Sequence, residues 1–121
     1  MRKRLIVVAV VAASALAVGS LAFAGGSTTL KLTASKTKFA YNKKTLKAHA
    51  GKITIVMKNP SAIFTHDIAI KGHGVKKKGK VVHVGGTSKV TATLKPGTYE
   101  FYCTVPGHEA GGMKGKLVIT K

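Results

Sequence analysis

Cysteine is almost absent from this chain. Its 121 residues include a single Cys, at position 103, and this excludes a disulfide within the chain. The thiol must therefore be buried, paired with another chain or bound to a metal. A free cysteine taken alone is commonly a buried small hydrophobe. The neighbours of Cys103 must decide between these possibilities.

Acidic residues are equally scarce, and the chain is strongly basic as a result. Lys and Arg number 21 against three Asp or Glu, for a net charge of +18. Without Arg2, Lys3 and Arg4 a charge of about +15 remains. This excess implies an acidic protein, an anionic envelope polymer or lipid headgroups as partner. Nucleic acid is not predicted, because aromatic residues for base stacking are not interleaved with the lysines. The densest basic run, residues 71–80, is predicted to be a solvated loop or hairpin tip.

No sustained helical stripe follows residue 24, and no internal repeat or linker is evident. Apolar and polar residues alternate instead, as at 52–58, where Ile53, Ile55 and Met57 share one face. Similar alternation occurs at 28–33, 68–70, 82–84, 90–94, 99–101 and 117–119. Glycines and prolines separate these runs. Seven or eight short strands with frequent turns predict an all-β fold, a two-sheet antiparallel sandwich.

The N-terminus carries a basic segment followed by an apolar run. Arg2–Arg4 precede the apolar residues 5–18, and Ala22-Phe23-Ala24 offers a small-x-small cleavage site. This order is typical of a secretory signal peptide, and the run is short for a membrane span. We therefore predict a signal peptide at 1–24 and one domain at 25–121. The domain is expected in the periplasm, at the cell envelope or outside the cell. A retained membrane anchor is the alternative.

The residues with the most distinctive chemistry lie in the run Tyr102-Cys-Thr-Val-Pro-Gly-His-Glu-Ala-Gly-Gly-Met-Lys-Gly115. Four residues separate Cys103 from His108, and four separate His108 from Met113. A thiolate, an imidazole and a thioether suit copper better than any hard cation. A trigonal copper site needs a second imidazole, which His66 can supply. Taken alone, His66 would be a strand histidine and Met113 a core residue. Together the four residues indicate electron transfer rather than substrate chemistry.

This pattern resembles the cupredoxins, especially the plastocyanin/azurin-like small blue copper proteins. The resemblance rests on the Cys-x4-His-x4-Met loop, on the lead-in Pro96-Gly-Thr-Tyr-Glu-Phe-Tyr-Cys103 and on His66 upstream. It extends over nearly the whole chain after the signal segment. It implies a Greek-key β-sandwich with one type 1 copper, held by His66, Cys103 and His108 with Met113 as axial ligand.

The resemblance also implies an electron port at the loop histidine. In the family this residue has an exposed edge within an apolar patch. The position falls to His108 in this chain. The patch residues would be Phe64, Pro106, Gly107 and Ala110.

Asp67 departs from the family pattern. Cupredoxins usually follow the first ligand histidine with Asn, whose side chain ties the two ligand loops together. An ionised carboxylate accepts those hydrogen bonds but cannot donate one to the Cys103 sulfur. Its charge is expected to favour Cu(II) and lower the reduction potential. A side chain that faces solvent or pairs with a lysine is the alternative.

The combined prediction is an exported, monomeric protein that shuttles one electron between redox partners, which its charge suggests are acidic. A copper carrier or storage protein, or a non-redox basic module that binds the envelope, would have the same features. An enzyme is not predicted, because nitrite reduction or oxidation would need more copper ligands or a second domain. A binuclear CuA centre would need a second cysteine. His49, His73 and His83 are predicted on the surface, with a role in copper loading left open for His73 or His83.

Overall fold

The computed structural model describes residues 26–121, and the predicted signal peptide at 1–24 lies outside them. None of these described residues lies in a helix long and apolar enough to cross a membrane. The strands are β1 (Ser27–Thr33), β2 (Thr45–His49), β3 (Gly51–Lys58), β4 (Ala69–Gly72), β5 (Val75–Lys78), β6 (Thr87–Leu94), β7 (Gly97–Tyr102) and β8 (Lys114–Thr120). The prediction of an all-β fold with seven or eight strands is confirmed.

The strands form two sheets, with the orders β1-β3-β6 and β2-β8-β7-β4-β5. β1 runs parallel to β3, and β2 runs parallel to β8, whereas the other neighbours are antiparallel. The expectation of a wholly antiparallel sandwich is therefore wrong at two pairs. Parallel neighbours cannot be joined by a hairpin. Between β1 and β3 the chain crosses to the other sheet and forms β2 there.

Alternating side chains fill the space between the two sheets. Along β6, every second residue is buried and the residues between are exposed. On β3, Ile53, Ile55 and Met57 are fully buried on one face, as their spacing predicts. Burying a side chain of this size contributes about 1.5–3 kcal/mol. The core therefore makes a rigid frame for the loops at its ends.

Some elements differ from the sequence prediction. Val82 forms only an isolated bridge and Val84 is exposed in a turn, so residues 82–84 are not a strand. β2 and β5 were not predicted, and β5 contains three consecutive lysines. The basic run was predicted to be a loop or a hairpin tip, and the structure shows a hairpin of β4 and β5. Its turn contains His73 and Gly74, which have φ angles of 48° and 80°.

The packing of β7 on β8 fixes the end of the sandwich that carries the ligand loop. Phe101 is paired with Gly115 in the register and is fully buried. A Cβ atom at Gly115 would overlap the Phe101 ring and lie 2.5 Å from the Lys44 carbonyl oxygen. Glycine thus gives the ring its space across β8. Because β7 ends at Tyr102 and β8 begins at Lys114, the loop 103–113 lies at this end.

Candidate metal centre

The loop 103–113 is closed by its own backbone hydrogen bonds. The Cys103 N–H donates to the Met113 carbonyl at 3.1 Å, and the Met113 N–H donates to the His108 carbonyl at 3.0 Å. Gly107 and Gly112 have φ angles of 85° and 113°, which L-residues with side chains rarely adopt. These two glycines therefore allow backbone turns in the loop that a residue with a side chain would disfavour. The loop holds Cys103, His108 and Met113 in one compact turn structure.

His66 lies between β3 and β4 and reaches the same end of the fold. Its backbone forms a bridge with Val82, through hydrogen bonds of 3.2 and 2.8 Å. The Asn59 side-chain amide donates to the Phe64 and Val82 carbonyls at 3.0 and 2.9 Å. These bonds fix the segment on both sides of the histidine. Asn59 is almost fully buried, so its hydrogen bonds are also required to offset its desolvation.

Three of the predicted ligands converge on one point. The Cys103 Sγ atom lies 3.6 Å from His108 Nδ1 and 3.9 Å from His66 Nδ1, and the two Nδ1 atoms lie 3.1 Å apart. The point in the plane of these atoms that is equally distant from all three lies about 2.1 Å from each. This distance is close to the bond lengths that nitrogen and sulfur ligands make to a metal ion. The arrangement therefore fits one ion with a thiolate and two imidazoles as ligands. This donor set is typical of a type 1 copper centre.

The three groups are buried, and burial changes their proton affinities. His66 is fully buried, and desolvation followed by repulsion from His108 lowers its pKa to about 4. Desolvation also lowers the pKa of His108, and it raises the pKa of the Cys103 thiol to about 11. Both imidazoles are therefore neutral at pH 7 and available as ligands, whereas the thiol must lose a proton to bind a metal.

Met113 is fully buried at the end of the same loop. Its backbone bonds to the backbones of both Cys103 and His108, so the residue is tied to the segment that carries two of the converging side chains. A thioether is a weak axial ligand in blue copper sites. Its place on the loop is consistent with the role of axial ligand that the resemblance to the cupredoxins implies.

Asp67 is fully buried and connects the two segments that carry the ligands. Its carboxylate accepts a hydrogen bond from the Thr104 N–H at 2.6 Å and another from the Thr104 hydroxyl. The Tyr41 hydroxyl donates to the Asp67 carbonyl at 2.6 Å. The alternative of a solvent-facing Asp67 is therefore wrong. By accepting these hydrogen bonds, the carboxylate links the segment of His66 to the segment of Cys103. This is the linking role expected at the position where cupredoxins usually have Asn.

Lys78 also contacts Asp67, so the alternative of a lysine partner is correct at the same time. Its Nζ atom lies 3.7 Å from the Asp67 carboxylate. The lysine belongs to β5, within the basic run that the sequence predicted only as a solvated surface. No signal in the sequence distinguishes Lys78 from Lys76, Lys77 or Lys80.

Aromatic rings cover much of His108. Phe39 stacks on its imidazole with a centroid distance of 4.1 Å and an interplanar angle of 17°, and Phe64 approaches edge-on at 5.8 Å. Only 6% of His108 remains exposed. Pro106, like Gly107 and Ala110, is exposed beside it. The exposed edge expected of His108 is therefore narrow, and Phe39 is a neighbour that the sequence did not identify.

The other histidines lie away from this cluster. His49, His73 and His83 are exposed, as predicted. The cluster of His66, Cys103 and His108 contains none of them. The stacking of Phe39 and the hydrogen bonds of Thr104 were not predicted. Phe39 is distant from the ligand motif in sequence, and although Thr104 follows Cys103 directly, the sequence does not show which group its hydroxyl contacts.

Comparison with known proteins agrees with the fold and the donor set. Residues 5–119 match the family of Cupredoxin-like domains. Dithionite-reduced auracyanin from the photosynthetic bacterium Roseiflexus castenholzii has a similar structure, with a TM-score of 0.69 and 31% identity. The alignment covers 80% of this chain and 100% of that one. Auracyanin A, described as a "blue" copper protein of Chloroflexus aurantiacus, has a TM-score of 0.68 and 28% identity. That alignment covers 78% of this chain and 100% of that one.

A curated relative matches over a shorter stretch. Auracyanin-B of Chloroflexus aurantiacus is 46% identical over 41 residues, which are 33% of this chain and 17% of that protein. The chain thus spans well under two thirds of the length of this relative. The family match, however, runs through almost the whole sequence, and the similarity to the Roseiflexus structure covers that protein completely. The chain belongs to the cupredoxin family.

Proposed function

We propose that this protein is an exported carrier of single electrons with one type 1 copper ion. The observation that supports the proposal is the convergence of Cys103 Sγ with the Nδ1 atoms of His66 and His108. A thiolate with two imidazoles is the ligand set of blue copper centres. Met113 is the fourth and weakest ligand, and it tunes the reduction potential.

Copper, when bound, supplies the Cu(I)/Cu(II) couple, and the side chains of this protein define its surroundings. His66 and His108 present neutral imidazoles, since burial lowers both of their pKa values. Cys103 binds as the thiolate. Burial raises the pKa of its thiol to about 11, so the thiol keeps its proton at pH 7 until copper displaces it. Uptake of copper at pH 7 therefore releases about one proton per chain.

The frame around the site supports electron transfer in particular. His66 is fixed by its bridge to Val82, and the loop of the other three residues is closed by backbone hydrogen bonds. Ligands held in this way move little when the charge of the metal changes, so little reorganisation accompanies each transfer. A rigid site of this kind differs from one that must open to release its metal.

Burial also favours an electron carrier over a copper carrier or storage protein. The exposed fractions of His66, Cys103 and His108 are 0%, 1% and 6%. Handing copper to another protein requires incoming ligands to reach the ion. Electron transfer requires only close approach, which the narrow exposed edge of His108 allows.

The location and the partners of the protein are proposed from its charge and its N-terminus. The order of a basic segment, an apolar run and a small-x-small site supports export. After removal of residues 1–24, 18 lysines stand against three acidic residues. We therefore propose acidic redox proteins as partners, with an anionic envelope surface as a second binding surface. The domain is expected to act as a monomer.

The test of the function is the visible absorption spectrum after addition of one equivalent of Cu(II). An intense blue or green thiolate-to-copper band is expected in the wild type. Cys103→Ser should abolish the band, and His49→Ala, which alters an exposed histidine outside the cluster, should leave it unchanged. A colourless wild-type protein that holds one copper per chain would contradict the proposal.

A second measurement separates the electron carrier from the copper carrier. The copper-loaded protein is mixed with a small chelator or an acceptor thiol peptide, and the loss of the band is followed. Slow loss together with a reversible reduction potential is expected for the electron carrier. Rapid and complete transfer of copper would support the carrier or storage function instead.

A further inference from the structure

The buried carboxylate of Asp67 has one cationic neighbour in the part of the chain that the structure describes. The Lys78 ammonium lies 3.7 Å from it, and the lysine side chain is 55% exposed whereas Asp67 is not exposed at all. The other partners of the carboxylate are the N–H and the hydroxyl of Thr104, which are neutral. Burial of a carboxylate is unfavourable unless a charge or hydrogen bonds compensate it. Lys78 is therefore the counter-charge of Asp67.

The charge of Asp67 acts on the metal centre from a short distance. Asp67 follows His66 in the chain, and its hydrogen-bond donor Thr104 follows Cys103. A negative charge at this place stabilises the more positive, oxidised state of the centre, and burial protects it from screening by salt. The ammonium of Lys78 opposes this effect. Any change in the position of Lys78 therefore changes the reduction potential.

Lys78 is also accessible from outside, because it lines a groove of about 530 Å³. One wall of the groove is β5, with Lys76, Lys77 and Lys78. The other is Tyr102 at the end of β7 together with residues 103–107, 109 and 110 of the ligand loop. Three consecutive lysines form the β5 wall, so this side of the groove is basic. Glu109 is the carboxylate that lines it. The chemistry that this wall recognises is a carboxylate-rich segment of an acidic protein.

We propose that Lys78 is shared between Asp67 and an acidic partner, so that docking in this groove lowers the reduction potential of the centre. A partner carboxylate draws the Lys78 ammonium away from Asp67. The buried carboxylate is then less compensated, and the oxidised state of the centre becomes more stable. Docking thereby makes the reduced protein a stronger electron donor to the partner that has bound. The inference rests on the proposed function of the copper centre.

The first experiment measures the reduction potential of copper-loaded variants. Lys78→Gln should lower the potential, and Lys78→Arg, which keeps the charge, should restore most of it. Lys76→Gln is the matched control, since Lys76 lies on the same strand and the same groove wall without contacting Asp67. Its shift should be clearly smaller. Equal shifts in Lys76→Gln and Lys78→Gln would overturn the proposal, because they would indicate only the general surface charge.

A double-mutant cycle tests whether Lys78 acts through Asp67. In the Asp67→Asn background no carboxylate holds the Lys78 ammonium at the ligand segments, so Lys78→Gln should shift the potential less than it does in the wild-type background. A full shift that persists without the Asp67 carboxylate would overturn the pairing. Circular dichroism of each variant confirms that the sandwich is folded, and the visible spectrum confirms that the ligands are unchanged.

The second experiment supplies a carboxylate-rich probe, poly-L-glutamate at low ionic strength. The probe should lower the potential of the wild type and of Lys76→Gln, and lower that of Lys78→Gln distinctly less. An identical response in all three proteins would overturn the sharing of Lys78. A wild type without a reversible blue centre would instead contradict the proposed function, so the two failures are distinguishable.

Discussion

Replacement of Asp67 by Asn is expected to raise the reduction potential of the copper centre. The carboxylate is fully buried and accepts its hydrogen bonds from Thr104. Asn is close to the same size, keeps one acceptor oxygen for the Thr104 N–H and can donate to the Thr104 hydroxyl. The substitution therefore removes a charge with little change in shape. Without that charge, Cu(II) is less stabilised and the potential rises.

The size of the effect follows from the position of the charge. Asp67 is next to His66 in the chain, so a separation of about 6 Å gives the order of magnitude: two unit charges at that distance interact by about 3 kcal/mol at an effective dielectric constant of about 20. Lys78, at 3.7 Å from the carboxylate, cancels part of this interaction. A net effect of about 1–2 kcal/mol is equivalent to roughly 40–90 mV for one electron, since a tenfold change in equilibrium constant is about 59 mV.

The assay is a redox titration of copper-loaded wild type and Asp67→Asn, followed by the visible band or by voltammetry. Glu109→Gln is a matched control, because Glu109 follows the ligand His108 in the chain. Its carboxylate is partly exposed and lies 2.7 Å from the Lys71 ammonium. Solvent should screen that charge, so its shift should be smaller. A potential that is unchanged in Asp67→Asn, or that equals the value of Glu109→Gln, would refute the electrostatic argument.

Three further predictions concern stability and metal retention. Burial lowers the pKa of His66 to about 4, so the unfolded chain binds more protons than the folded one between about pH 4 and pH 6.5. Urea titrations of the copper-free protein should therefore show a free energy of unfolding that falls as the pH falls through this range. A flat profile would contradict the lowered pKa of His66. Gly115→Ala should lower the free energy of unfolding by about 1–3 kcal/mol, because the added methyl group overlaps the Phe101 ring. An unchanged midpoint in a urea titration would show that the ring moves aside at no cost in free energy. Phe39→Ala should speed the loss of copper to a chelator several-fold, because Phe39 stacks on His108 and covers it; an unaltered rate would mean that the cover does not limit access.

Local sequence patterns determined much of this protein. Alternating apolar residues located six of the eight strands, because a strand with one buried face needs a period of two wherever it lies in the fold. The Cys-x4-His-x4-Met spacing identified the loop from Cys103 to Met113, since three of the predicted ligands are close in the chain. His66 was identified by its position upstream together with the family resemblance. The signal peptide at 1–24 stays a prediction from composition alone.

Contacts between distant segments were decided by the tertiary structure. β5 has no apolar alternation and forms a strand only because β4 pairs with it. The parallel pairs follow from crossings between the sheets, which no local run of residues encodes. The stacking of Phe39 on His108 likewise joins residues far apart in sequence. The pairing of Lys78 with Asp67 depends on the register of the β4–β5 hairpin, which places Lys78 opposite Ala69. The sequence around a lysine or a phenylalanine does not show whether its side chain faces solvent or the metal centre. Only the packing of the two sheets selects one of these environments.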